Sequence, residues 1–203
     1  MSKGFTHEST YNESKEWYTP REIFRALGLT FDLDPCSPGQ DIVPWIPAQI
    51  HLTIKDDGLT HKWWGNVFMN PPYGSDTPAW MRRLAAHSRS DEGGIALVFA
   101  RPDTKWFHAY IPKADVVCFI KGRVHFVPAD EPDKVTDKKT GQIRDGIPYA
   151  SLYADGQYQP KGGCGAASML VAFGEKNAEV LYNSNLGLAL PVKKALSNVR
   201  IGL

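Results

Sequence analysis

The segment that most constrains this chain is Asn70-Pro71-Pro72-Tyr73, which directly follows the apolar run Val67-Phe68-Met69. The run is typical of a buried strand, and two consecutive prolines cannot donate the hydrogen bonds that would continue its ladder. The chain must therefore turn after Met69 and present Asn70 and Tyr73 at the carboxyl end of the strand. Open α/β sheets bind their ligands at that edge, so the pattern predicts a binding loop.

The chemistry of this loop suits a planar amino group. The carboxamide oxygen of Asn70 and the carbonyl of Pro71 could accept both hydrogens of an NH₂, and neither proline offers a competing amide donor. The ring of Tyr73 could stack on the flat group that carries the nitrogen. The catalytic candidates are therefore Asn70, Pro71, Pro72 and Tyr73. The alternative is an ordinary Pro-Pro turn between a strand and a helix, with a tyrosine on the surface.

Composition limits the classes of function. The chain has 203 residues, enough for one domain with a hydrophobic core, and its 42% hydrophobic and 22% charged content is ordinary for a globular protein. No apolar run is long enough to span a membrane or to act as a signal peptide, so we expect a cytoplasmic protein. Three cysteines without CxxC spacing indicate neither a disulfide framework nor a metal site. A net charge of +1 means that any DNA contact must come from a local basic patch.

Several segments have strand or helix patterns. Residues 20–27 form an apolar helix face that ends at Gly28, and Phe31 to Asp34 alternate like a strand that ends at Pro35. Residues 94–100 are continuously apolar, as expected for a central strand covered on both faces. Residues 116–127 read as a hairpin turning at Lys121-Gly122, and residues 166–173 as the last strand. The tail after residue 173 has no informative pattern.

Together, these motifs resemble the small phage-type DNA N6-adenine methyltransferases of the Dam kind, over about residues 17 to 173. The motifs that carry the resemblance are Trp17-Tyr18-Thr19-Pro20, Phe31-Asp32-Leu33-Asp34-Pro35-Cys36, Asp56-Asp57-Gly58-Leu59, Asn70-Pro71-Pro72-Tyr73 and Arg101-Pro102-Asp103-Thr104-Lys105-Trp106-Phe107. The resemblance implies the α/β, Rossmann-like fold of S-adenosylmethionine-dependent methyltransferases, with a mostly parallel sheet closed by an antiparallel hairpin. It also implies methyl transfer to adenine N6 in double-stranded DNA by a phage- or prophage-encoded protein of restriction-modification type.

The same resemblance assigns residues to the cofactor S-adenosylmethionine: Tyr18, Thr19, Pro20, Asp32, Asp34, Pro35, Cys36, Asp57 and Asn70. Asp34 is the first choice for the cofactor ammonium, with Asp32 as the substitute. One of Asp56 and Asp57 would meet the cofactor's adenine, unless this segment is a surface turn. Only about twenty residues separate Asp34 from Asp57, whereas βα units take some thirty residues each, so the cofactor half must be trimmed.

The remaining expectations concern DNA and domain organisation. Residues 1–16 are predicted to be a mobile arm, residues 17–203 a single methyltransferase domain, and residues 129–165 a target-recognition insertion. The residues expected to bind DNA are Arg101, Lys105, Arg123, Lys138, Lys139 and Arg144. The target adenine would be flipped out of the duplex. Two alternatives stay open: a protein glutamine-amide methyltransferase, and a catalytically silent DNA-binding relative.

Overall fold

The fold was established from a computed structural model that describes residues 16–89, 92–129, 135–136, 140–144, 146–160 and 165–193. Most of the predicted arm (1–16), together with Lys138 and Lys139, lies outside the described residues, as do parts of the predicted insertion. Within the described residues, helices pack on both faces of a seven-stranded sheet. No described helix is both long and apolar enough to cross a membrane.

The main sheet contains seven strands: β2 (Phe31–Asp34), β3 (Ala48–His51), β4 (Val67–Met69), β5 (Gly94–Phe99), β6 (Val116–Ile120), β10 (Ser168–Phe173) and β11 (Gly187–Pro191). Two small ribbons pair β1 (Trp17–Tyr18) with β7 (Val127–Pro128), and β8 (Val135–Thr136) with β9 (Ile143–Arg144). The helices are α1 (Arg21–Leu27), α2 (Thr77–His87), α3 (Lys105–Tyr110), α4 (Tyr149–Ala154) and α5 (Glu175–Asn183). A 3₁₀ turn, Ile111–Lys113, extends α3.

The sheet is mixed rather than mostly parallel, so that part of the prediction is wrong. The strand order is β11-β6-β10-β5-β4-β2-β3. Three pairs are parallel, namely β2 with β3, β2 with β4, and β4 with β5. The other three are antiparallel because β10 inserts between β5 and β6 in the reverse direction and β11 then pairs with β6.

The predicted hairpin over residues 116–127 is also wrong. Strand β6 is flanked by β10 and β11, and no strand follows it until β7, which pairs with β1 near the N-terminus. The physical reason is that Val124 and Phe126 do not pair across a turn but are buried in the core beside Phe24. Residues 166–173 do contain a strand, as predicted, but it is not the last one, since α5 and β11 follow it.

The continuous apolar strands are buried on both faces, which confirms the prediction for residues 94–100. In β5, Ile95 and Leu97 face one core cluster while Ala96 and Val98 face the other, and all four are fully buried. The alternation follows from the two-residue period of a strand. Helix α1 ends where predicted, because Gly28 adopts the left-handed conformation (φ 61°) and its N–H bonds back to the carbonyl of Phe24.

Candidate active site

The polar residues that follow three neighbouring strands lie at one edge of the sheet. Strand β2 ends at Asp34, β4 ends immediately before Asn70, and β5 ends two residues before Arg101. Because these strands are parallel neighbours, their carboxyl ends open onto the same edge. The loop that starts at Asn70 is therefore next to the end of β2, in the location that open α/β sheets use for ligands.

The side chain of Asn70 is held at both ends of its carboxamide. Its Nδ2 donates to the backbone carbonyl of Trp17 (2.7 Å), and its Oδ1 accepts the hydroxyl of Tyr73 (2.6 Å). The Trp17 carbonyl can only accept a hydrogen bond, which fixes the amide nitrogen toward Trp17 and the oxygen toward the loop. The acceptor expected to bind an amino group is thus oriented by residues outside the motif, and here it is occupied by a phenol.

Tyr73 is packed within the site rather than lying on the surface. Its ring stacks face to face on Phe99, with centroids 3.8 Å apart and planes inclined by 11°. Phe126 approaches the same ring edge-on at 6.1 Å. Neither phenylalanine was predicted from the sequence to belong to the site. Phe99 is the last residue of the apolar run of β5 and in sequence resembles any other core residue. Phe126 was predicted to belong to a hairpin that does not form.

Asp34 is a buried carboxyl group (3% exposed) whose Oδ1 accepts the backbone N–H of Cys36 at 3.2 Å. Burial raises the pKa of Asp34 from 3.8 to about 7, and the hydrogen bond from Cys36 opposes this only in part. Burial, and next the charge of Asp34, raise the pKa of the Cys36 thiol, while the backbone of Asn70 opposes the rise. The Cys36 thiol thus lies between the Asp34 carboxyl and the Asn70 backbone, and joins the two loops.

Asp32 performs a structural role on the neighbouring turn. Its Oδ2 accepts the backbone N–H of Asn66 at 2.7 Å, and its Oδ1 accepts the side-chain amide of Gln49 at 3.2 Å. Both partners belong to the framework of the sheet, and Asn66 precedes β4 rather than following it. Of the two aspartates in β2, Asp34 is therefore the one at the carboxyl edge, and it is the better candidate for a ligand cation.

The segment from Tyr18 to Pro20 also borders the catalytic loop, since the preceding Trp17 binds Asn70. All three residues are buried, and the backbone carbonyl of Thr19 accepts the indole N–H of Trp45 at 2.8 Å. The Thr19 hydroxyl is fully enclosed without a hydrogen-bond partner. An orphaned hydroxyl and a buried carboxyl without a cation partner among the described residues are features that a polar, cationic ligand would satisfy.

The Asp56-Asp57-Gly58 segment packs against the end of β2. Asp56 stabilises its own turn, because its Oδ2 accepts the backbone N–H of Thr53 (2.7 Å) and the Thr53 hydroxyl (2.8 Å). Asp57 is exposed, with a positive φ of 48°. Gly58 lies so close to β2 that an added Cβ would be 1.8 Å from the carbonyl oxygen of Pro35. The chain thus reaches the Asp34 region directly, without intervening helices.

The predicted DNA contacts divide into described and undescribed residues. Arg101 is half-buried, whereas Lys105 and Arg123 are exposed. Arg123 follows β6 and lines an open cavity of about 340 Å³ together with Gln159 from the predicted recognition segment. Lys138 and Lys139 lie outside the described residues, and for Arg144 only the backbone, paired with Val135 in the β8–β9 ribbon, is described.

Comparison with known proteins agrees with this arrangement. The family described as "DNA N-6-adenine-methyltransferase (Dam)" matches residues 7–144, which include Thr19, Asp34, Asn70 and Arg101. The chain belongs to the Dam family. It is also similar to the DNA N-6-adenine-methyltransferase of Haemophilus phage HP1 (strain HP1c1), with 24% identity over 158 residues, covering 72% of this chain and 89% of the phage protein. No solved structure shows significant similarity to the chain.

The Dam family match ends before α4, so the strands that distinguish this sheet from a mostly parallel one lie beyond it. Strands β10 and β11 complete the sheet on the side of β5 and β6, away from β2 and β3. The residues that the family model matches therefore include the parallel side of the sheet, where Asp34 and Asn70 lie.

Proposed function

We propose that this Dam family protein transfers a methyl group from S-adenosylmethionine to N6 of an adenine in double-stranded DNA, on a Rossmann-like methyltransferase fold. The observation that carries the proposal is the Asn70 carboxamide, which the Trp17 carbonyl orients at the carboxyl edge of β4. The backbone of the same residue contacts Cys36, which in turn contacts the buried carboxyl of Asp34. Two substrates bound at these positions would meet at one point of the sheet edge.

Asn70 and Pro71 act on the amino group. The Asn70 Oδ1 and the Pro71 carbonyl accept its two hydrogens, which favours a tetrahedral nitrogen whose lone pair points away from the ring. S-adenosylmethionine would supply the methyl carbon to this lone pair and would leave as a neutral thioether, and the surplus proton on the nitrogen would pass to water. Pro72 keeps the loop turned. Catalysis comes from positioning and from acceptors that match the cationic nitrogen.

Asp34 is the proposed partner of the cofactor ammonium. S-adenosylmethionine would supply an electrophilic methyl group on a sulfonium. Its positive charges would be stabilised by the ionised carboxyl of Asp34, which is buried at this edge of the sheet. Thr19 would contribute its orphaned hydroxyl, with Tyr18, Pro20, Pro35 and Cys36 as apolar walls. Asp57 is exposed and available to the cofactor's adenine, whereas Asp56 is engaged in its turn.

The target adenine would leave the duplex and enter beside Tyr73. Extruding a base costs a few kcal/mol, which stacking on an aromatic ring offsets in part. For the adenine to reach Asn70, the Tyr73 hydroxyl must first release the Oδ1 atom that it now occupies. Arg101, Lys105 and Arg123 would contact the phosphates, because they follow strands that end at this edge; Lys138, Lys139 and Arg144 would add contacts from the recognition segment.

The test is methyl transfer from labelled S-adenosylmethionine to plasmid DNA, with the products identified as nucleosides by mass spectrometry. We expect N6-methyladenine from the wild type and roughly 10²- to 10³-fold less from Asn70→Ala in the same time. Label in protein glutamine instead of DNA would support the amide alternative. DNA binding without label in any acceptor would support a catalytically silent relative.

A further inference from the structure

Tyr73 has the two features that the proposed target base would present to the same pocket. Its ring lies flat on Phe99 at 3.8 Å, as a stacked base would. Its hydroxyl donates to the Asn70 Oδ1 at 2.6 Å, as an amino group would. A planar ring with a hydrogen-bond donor at its end therefore already fills the space between Phe99 and Asn70.

We propose that Phe99 is a stacking wall of the target-base pocket and that Tyr73 closes this pocket in the free protein. The inference rests on the function proposed above and adds to it a positioning residue and a closed state. The entering base would displace the Tyr73 hydroxyl from Asn70 and separate the two rings. It would then lie between them, with its amino group on the Asn70 Oδ1.

The surroundings of the two rings indicate which of them moves. Phe99 is the last residue of β5, and its backbone is paired with Ser168 of β10 in the centre of the sheet. Tyr73 lies in a loop between the exposed residues Pro72 and Gly74, and Gly74 has a φ of 115° with open space around it. A base inserted between the rings would require their separation, now 3.8 Å, to roughly double. The loop can supply this movement, whereas β5 cannot.

The experiment measures base insertion without turnover. Two duplexes are compared, each containing one site that the wild type methylates in plasmid DNA. In the first, the target adenine lies opposite an abasic sugar; in the second, the target base itself is removed. The affinity for the first duplex divided by the affinity for the second reports the interaction of the base with its pocket. Contacts with the rest of the duplex and losses of active protein affect both affinities equally and do not change this ratio.

Three variants give distinct expectations for this ratio. Tyr73→Phe removes the hydroxyl that closes the pocket and should raise the ratio about two- to tenfold, the value of one neutral hydrogen bond. Phe99→Leu removes the stacking wall and should lower it at least about fivefold, whereas Phe99→Trp should keep it. Phe119→Leu, a half-buried phenylalanine of β6 in the same sheet, is the matched control and should leave the ratio unchanged.

The outcomes separate this inference from the function on which it rests. A ratio for Phe99→Leu equal to that of the wild type, or a lower ratio for Tyr73→Phe, would show that the two rings merely pack the loop and would overturn the inference. If the wild type still methylates the site in that case, the proposed function stands. If the wild type methylates no site in plasmid DNA, the proposed function fails, and the inference that rests on it fails with it.

Discussion

The buried carboxyl of Asp34 leads to a prediction about stability and pH. Asp34 is 3% exposed, and in the described part of the chain its carboxyl group accepts hydrogen bonds from the backbone and side chain of Cys36 but has no cationic partner. Without a ligand, this carboxyl should destabilise the folded protein whenever it is ionised. Asp34→Asn keeps the shape of the side chain and removes the charge, so it should stabilise the free protein at neutral pH.

The magnitude follows from the pKa. Burial raises the pKa of Asp34 from 3.8 to about 7, and about three pH units at about 1.4 kcal/mol each give roughly 4 kcal/mol. Between these two values, the folded state holds a proton that the unfolded state has released. The free energy of unfolding of the wild type therefore falls as pH rises through this window and levels off above pH 7. The difference between Asp34→Asn and the wild type should grow over the same window.

The assay is urea unfolding of both proteins at several pH values from 4.5 to 8. Asp56→Asn is the control of opposite sign, because hydrogen bonds from Thr53 lower the pKa of Asp56. That carboxylate stabilises the fold above its ordinary pKa of 3.8 and loses this contribution only at lower pH, so Asp56→Asn should be destabilising by a nearly constant amount from pH 4.5 to 8. A difference between Asp34→Asn and the wild type that stays constant with pH would refute the argument that Asp34 is a buried carboxyl without a counter-charge.

The same carboxyl group links pH to cofactor affinity. An ammonium placed beside Asp34 favours the ionised form, so binding below pH 7 requires loss of a proton. The affinity for S-adenosylmethionine should therefore rise with pH and level off near pH 7 in the wild type. Calorimetry should show that Asp34→Asn binds S-adenosylmethionine more weakly than the wild type. Its affinity should lack the rise with pH that comes from the Asp34 proton. Equal affinities for the two proteins at pH 8 would place the ammonium elsewhere.

Three further predictions concern the loop, the packing of β2 and the DNA contacts. Asn70→Ala should reduce methyl transfer roughly 10²- to 10³-fold while cofactor affinity measured by calorimetry changes little; more than about a tenth of the wild-type rate would contradict the mechanism. Gly58→Ala should lower the free energy of unfolding by roughly 1–3 kcal/mol in urea unfolding, because its Cβ would collide with the Pro35 carbonyl. Replacing both Arg101 and Lys105 with Gln should reduce the salt dependence of DNA binding by about two charges and leave cofactor affinity unchanged.

Features encoded by local sequence were predicted correctly, whereas long-range pairings were not. The buried strand β4, the turn after it and the central strand β5 follow from apolar runs and from prolines that stop a ladder. The partners of β6 do not follow from such patterns. Its neighbours β10 and β11 lie roughly fifty and seventy residues further along the chain, beyond the reach of rules that read a few neighbouring residues. Hairpin rules therefore paired β6 with the segment after it.

The candidate site shows the same division between features that local sequence predicts and contacts between distant segments. The residue types at Asn70 and Asp34 indicate their chemistry, and their positions at strand ends indicate the edge of the sheet. The contact that orients Asn70 is with Trp17, 53 residues earlier in the chain, and it depends on the pairing of β1 with β7. The stacking partner of Tyr73 is the final residue of an apolar strand, which in sequence looks like any other core residue.

The short connection after β2 gives the Asp34 carboxyl its unusual environment. Since residues 35–58 fold back without a helix, the backbone of Gly58 lies directly on the Pro35 carbonyl, and Trp63 donates its indole N–H to the Gly58 carbonyl at 2.7 Å. Close backbone packing of this kind excludes the water that would otherwise solvate a carboxylate at a strand end. The short connection places Gly58 on Pro35, directly after the carboxyl of Asp34, whose pKa burial raises to about 7. A carboxyl group that is poorly solvated without a ligand gains most from a cationic one, so the compact connection itself favours a positively charged cofactor.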